Sequence, residues 1–182
     1  QIPGLLDIVN YNQNRKNADV AIYEVGNIFV ATDSEDTRPL EIPHLAFAIS
    51  GNVEDKTYSS DAVAVDFYYA KAIVEQLLAG YDNLAFEAYS EVKEMHPGRT
   101  ARILLGDRQV GFVWQVHPAT AKAYDVKETY VASLDLDAML ELAPAQTVFV
   151  EIPKVQAVHR DIAMLVDAEK THAEIVETIT SS

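Results

Sequence analysis

The stretch TARILLGDRQVGFVWQVH, residues 100–117, decides the fold. Thr100 to Leu105 and Gln109 to His117 are apolar-rich runs on either side of Gly106-Asp107-Arg108. A short Gly-Asp turn between two such runs predicts a β-hairpin, and hence antiparallel pairing. More strand candidates lie on both sides of it. Val20 to Val25 and Ile28 to Ala31 read as a strand pair, or as one strand bent at Gly26-Asn27. His44 to Gly51, Leu84 to Val92 and Tyr130 to Leu136 complete the set.

Helices fall between the strands. Pro3 suits a first helical turn, because its missing N–H would be unpaired there anyway. Leu5, Leu6, Ile8 and Val9 follow it, then the polar run Asn10 to Asn17. Asp66 reads as the N-cap of the most regular helix. Behind it Ala70, Ile73, Val74, Leu77 and Leu78 recur at spacings of three and four, and Gly80 stands as a C-terminal cap. Pro118 starts a short helix to Tyr124, and Asp137 caps another that stops before Pro144. After Pro144 the pattern restarts. Asp161 to Val166 reads as a buried strand, and Thr171-His172-Ala173-Glu174 as a capping box. One strand and one helix cannot bury their apolar faces alone, so residues 149–182 read as the incomplete beginning of a second domain after a first one of 1–148.

Composition narrows the function. The 182 residues carry 14 Lys+Arg against 28 Asp+Glu, for a net charge of −14. Such a chain repels polyphosphate, which argues against generic nucleic-acid binding. The absence of cysteine excludes disulfides, Cys-ligated zinc, iron–sulfur clusters and a thiol nucleophile. No membrane span or secretion leader is evident, and a reducing compartment is compatible with the composition.

Motifs of phosphate binding, zinc hydrolysis and serine hydrolysis are absent from the sequence. His96-Pro97 and His117-Pro118 flank the hairpin but lack a third ligand, so each reads as a turn or helix start. Arg99 and Arg102 read as partners in surface ion pairs, and Asp161 beside Arg160 and His159 as a local contact at a strand start. No catalytic residue and no metal site is expected. Asn12, Asn14 and Arg15, with Gln13, form a polar cluster at a helix end that either meets solvent or forms a subunit interface. On the residues alone this is an α+β domain without a visible active centre.

Five segments, in order, resemble a known family. They are Pro3-Gly4-Leu5-Leu6 with Tyr11 to Arg15; Ile22 to Phe29; Asp66-Phe67-Tyr68; His96 to Ala101 with Gly111 to Pro118; and Ile152-Pro153-Lys154 leading into Arg160 to Ala163. Together they resemble the bacterial phenylalanyl-tRNA synthetase β chain. The resemblance implies a non-catalytic module folded like a class II synthetase core, an antiparallel sheet flanked by helices. A truncated start of a ferredoxin-like anticodon-binding domain would follow it. It implies that the first helix and following strand act as a dimerisation element and pair with the catalytic α chain in a cytoplasmic (αβ)₂ assembly. ATP and Mg²⁺ would serve the whole enzyme, with no cofactor in this segment. tRNA would be bound through the full-length β chain, with Lys154 and Arg160 as contact candidates. Glu24 sits where a class II motif places a functional acid, without a companion Arg close before it. Editing and metal residues would lie outside the segment. The rivals are a free-standing class II-like interaction module without synthetase activity and a hydrolase built on His96, His117 or Asp161.

Overall fold

The computed structural model describes all residues except 33–37, 143–148, 150, 152, 153, 157 and 182. The chain forms two compact units, Gln1–Gln146 and Thr147–Ser182.

The first unit is built on the hairpin. Strands β6 (Met95–Leu105) and β7 (Arg108–Val116) pair antiparallel around Gly106-Asp107. Gly106 takes φ +61° at the turn, the left-handed value that a tight hairpin needs and that glycine adopts without a Cβ penalty. Around this pair the sheet grows to six strands in the order β1-β2-β8-β7-β6-β5, antiparallel throughout. The other members are β1 (Val20–Val30), β2 (Leu40–Ser50), β5 (Leu84–Ala88) and β8 (Thr129–Asp135). Short strands β3 (Asn52–Glu54) and β4 (Val63–Ala64) pair separately.

Period-two alternation sends successive side chains to opposite faces, and helices cover both. On one face α2 (Phe67–Leu77) and α4 (Leu136–Leu140) place Ala70, Val74 and Met139 against Phe47, Ile103 and Leu134. On the other face α1 (Ile2–Gln13) lays Leu5, Leu6 and Val9 on Ala46, Ala48, Trp114 and Val131, beside α3 (Pro118–Ala123). Leu5, Leu6 and Val9 are all at most 2% exposed, so each buries the 1.5–3 kcal/mol or so of a core aliphatic side chain. Close packing also operates at Gly111, where a Cβ would stand 2.2 Å from the Ser133 carbonyl oxygen. That contact is what lets β7 approach β8 there.

Several local expectations change. Gly26-Asn27 does not break the strand, because β1 keeps an unshifted register with β2 from Val20↔Ser50 to Val30↔Leu40. Asp66 caps α2 as expected, accepting from the Tyr69 N–H at 2.7 Å. The cap of α4, however, is Asp135, whose carboxylate accepts from the Ala138 N–H at 2.9 Å, and not Asp137, which lies within the helix. Gly80 lies beyond the C-cap of α2, which is Leu78. His96-Pro97 lies within β6, where the register shifts between Met95 and Thr100.

The second unit departs most. Its capping box is present: Thr171 and Glu174 satisfy each other's backbone N–H groups at the start of α5 (His172–Thr180). The expected strand Asp161–Val166 is not formed; these residues are irregular and exposed. A strand exists only by pairing, and the described residues offer this segment no partner. The ferredoxin-like start expected there thus consists, among the described residues, of a helix without a sheet.

Candidate assembly surface

Helix α1 carries the interface candidates at its C-terminal end, and the structure sorts them. Gln13 points inward. Its Nε2–H donates to Ser50 Oγ at 2.9 Å, and its Oε1 accepts from the Lys127 N–H at 2.9 Å. Ser50 Oγ–H in turn donates to the Glu128 carbonyl at 2.7 Å. Asn10 adds a bond from Nδ2–H to the Asp125 carbonyl, 2.9 Å. These amides stitch the helix end to the segment leading into β8. They explain part of a polar cluster that the sequence offered to solvent or a partner.

Asn12, Asn14 and Arg15 do not join that tie. Asn12 donates to the Ile8 carbonyl one turn back, 2.9 Å, and Asn14 to Asn10 Oδ1, 3.0 Å. Arg15 Nη1–H donates to the Tyr11 carbonyl at 3.1 Å, with its guanidinium 3.4 Å from the Tyr11 ring centroid. Such a cation–π contact holds the charge in a fixed place on the surface. Ile8 and Tyr11, 47% and 57% exposed, lie on the same outward side of the helix.

Lys154 and Arg160 belong to the second unit; Lys154 Nζ lies 3.6 Å from Glu151 and both side chains are exposed. The arginines of the sheet are engaged by carboxylates. Arg99 donates to Gln115 Oε1 at 2.8 Å and Glu128 Oε1 at 3.1 Å, Arg102 Nε–H to Glu87 at 2.7 Å, and Arg108 pairs with Glu141. Tyr130, which also donates to Glu128, has its pKa pushed up to about 12 by burial and then by that bond. It stays a hydrogen-bond donor throughout the physiological range.

Each imidazole of the His-Pro pairs is bound to its own backbone. His96 Nδ1 accepts from the Gly98 N–H and His117 Nδ1 from the Ala119 N–H, both at 3.1 Å. The second of these caps α3, as the helix-start reading expected. Among the described residues no group of three His, Cys, Asp or Glu side chains is placed to hold a metal ion. His44, 3.0 Å from Ser133 Oγ through Nδ1, has its pKa lowered by burial against the opposing pull of Asp135. Glu24 is exposed on β1, opposite Ala46 and on the face that α1 covers. Among the described residues no helix is long and apolar enough to cross a membrane.

Comparison with known proteins places this architecture. Residues 1–136 match the family model of the phenylalanyl tRNA synthetase beta chain CLM domain. The whole chain is 66% identical to the phenylalanine–tRNA ligase beta subunit of Lactococcus lactis and 48% identical to that of Streptococcus pneumoniae. It spans 23% of the length of these relatives. Among solved structures, the pyrrolysyl tRNA synthetase PylSc of Desulfitobacterium hafniense superposes with a TM-score of 0.56 at 12% identity, over 76% of this chain and 47% of that one. At that identity the likeness concerns the fold, which is class II synthetase-like: an antiparallel sheet with helices on both faces. The chain belongs to the phenylalanyl-tRNA synthetase β chain family.

Proposed function

We propose that this chain is a non-catalytic scaffold module of a phenylalanine–tRNA ligase β subunit, and that it pairs with the catalytic α chain. The observation that carries this reading is the 66% identity to a ligase beta subunit along the whole chain. The interior supports it. The chain's own helices pack on both faces of the sheet, and Arg99, Arg102 and Arg108 are each tied to a carboxylate. Arginines held this way do not converge on a phosphate, so these residues do not fit an ATP–Mg²⁺ site. In this reading ATP and Mg²⁺ act on the α chain of a cytoplasmic (αβ)₂ enzyme. The second unit begins an anticodon-binding domain in which Lys154 and Arg160 approach tRNA.

Two measurements test the proposal. The α chain is expected to copurify with the β chain through this module, and loss of residues 1–136 should abolish the complex. Titration calorimetry of the 182-residue chain with ATP should show no binding heat. Micromolar affinity that Arg99→Ala removes would refute the scaffold reading.

A further inference from the structure

A cleft of about 440 Å³ opens between the start of α2 and the sheet, with Asp66, Phe67 and Tyr68 on one side and Arg99, Glu128 and Tyr130 on the other. That volume falls within the range of small-molecule sites. Its floor is buried and polar. Gln115 of β7 and Tyr130 of β8 stand opposite each other in the sheet and are 8% and 2% exposed. Arg99 Nη1–H donates to Gln115 Oε1 and to Glu128 Oε1, and the Tyr130 hydroxyl donates to the same Glu128 oxygen. Two side chains of opposite charge are thus anchored from the interior.

The anchoring uses only part of each charged group. Both Arg99 bonds leave from Nη1 and both Glu128 bonds arrive at Oε1. Among the described residues this leaves Nε–H and Nη2–H of Arg99 and Oε2 of Glu128 to another partner, and both side chains are about half exposed. Asp66 spends Oδ1 on the Tyr69 N–H and keeps its second oxygen. The charges of Glu128, Arg99 and Asp66 all reach the Tyr130 hydroxyl, so the three act within one small space. Beside them the rings of Phe67 and Tyr68 meet edge to face, with centroids 6.0 Å apart, and Tyr68 is largely exposed.

We propose that this cleft binds a small aromatic zwitterion of the amino-acid class, with its carboxylate on Arg99, its ammonium on Glu128 and Asp66, and its ring against Phe67 and Tyr68. Charge selects the class. One guanidinium against two carboxylates leaves the lining negative, so a phosphate group is repelled. A plain cation meets Arg99, and a plain carboxylate meets Glu128 and Asp66. A molecule that carries both signs pairs every charge in the cleft. The planar guanidinium offers directed donors to a carboxylate, and an ammonium beside aromatic rings gains a cation–π attraction. Binding here makes and breaks no covalent bond. It needs no α chain, so the proposal stands or falls apart from the scaffold reading.

The test uses the full-length β chain without any α chain, and L-phenylalanine as the probe. Titration calorimetry should show saturable binding with a Kd of about 1 mM or tighter. The half-ligands 3-phenylpropionate and phenethylamine, each lacking one of the two charges, should bind about tenfold more weakly or worse. Arg99→Gln and Glu128→Gln should each weaken L-phenylalanine about tenfold or more, as the loss of a charged hydrogen-bond partner does. Tyr68→Ala, which alters an exposed side chain, should weaken it about threefold. Hydrogen exchange on the wild type locates the site without relying on any variant's folding: the probe should slow amides of residues 65–69, 98–100 and 127–130. Absence of binding heat overturns the proposal. Binding that leaves those amides unchanged, or that all three variants retain in full, puts the probe elsewhere on the β chain and overturns it too. Half-ligands that bind as tightly as L-phenylalanine overturn the zwitterion assignment and the proposal with it. None of these outcomes bears on whether the β chain binds the α chain.

Discussion

Replacing Gln13 by alanine separates an internal tie from an interface residue. The side chain makes two bonds to segments remote in sequence, one to Ser50 Oγ and one from the Lys127 N–H, each 2.9 Å. Ser50 is 1% exposed and already donates to the Glu128 carbonyl, so its hydroxyl oxygen loses the Gln13 donor without gaining water. Lys127 is exposed and its amide regains solvent. One bond lost in a buried place and one exchanged for water should cost about 1–2 kcal/mol. Alanine is slightly the better helix former, so propensity does not supply this loss. For a domain of this size the melting temperature should fall by roughly 3–8 °C. Thermal denaturation followed by circular dichroism measures it, with Asn14→Ala as the control. Asn14 bonds only Asn10 in an exposed pair and should melt within about 1 °C of the parent chain. Equal melting of Gln13→Ala and the parent, or an equal loss in both variants, would refute the assignment of Gln13 to the interior.

Three further outcomes follow from other parts of the molecule. Asn12→Ala/Arg15→Ala should weaken association with the α chain while leaving the melting temperature nearly unchanged, because their side-chain bonds stay within residues 8–17 at the exposed end of the helix; calorimetric binding and thermal melts read the two effects separately. In hydrogen exchange, amides of Ile162–Val166 should exchange much faster than those of Val110–Val116, which lie in a paired strand; equal protection would show that the second unit is docked. Glu174 is held at a pKa of about 2, below its ordinary 4.5, first by the Thr171 backbone N–H and then by Lys170 and the Thr171 hydroxyl. Its cap therefore stabilises α5 above pH 4.5 and is lost as pH falls towards 2, so Cα chemical shifts of 172–180 should lose helical character across that window, and Glu174→Gln should remove the dependence.

Features set by neighbours in sequence were legible from the residues. The hairpin at Gly106, the Asp66 cap, the Thr171–Glu174 box and the helix start at His117-Pro118 each depend on contacts within a few positions. What failed needed distant partners. Gln13 is bound to residues 37 and 114 positions away, and no local pattern announces such a tie. The bend read at Gly26-Asn27 ignored β2, whose uninterrupted register holds the strand extended. Asp161 to Val166 has strand-like chemistry, but a strand is a property of a pair. The cap of α4 shows the opposite error: Asp135 and Asp137 are two residues apart, and only geometry tells them apart. Arg99 and Arg102 are the ion-pair members expected, each meeting a carboxylate of a chain rich in them.

The position of β8 has a consequence for how the molecule is made. It is the last strand of the sheet in the chain, yet it occupies the middle, between β2 and β7. Until residues 129–135 emerge from the ribosome, the hairpins β1-β2 and β5-β6-β7 are two half-sheets, each with an inner edge and apolar faces open to water. The final strand closes them in a single step across a sequence separation of more than eighty residues on one side, where Phe47 meets Ala132. Long-range closure of this kind is slow, and its open precursors are prone to association. A chain stopped before Thr129 would therefore not be a smaller version of this domain but two sticky halves, and β8 is the keystone that any shortened version must retain.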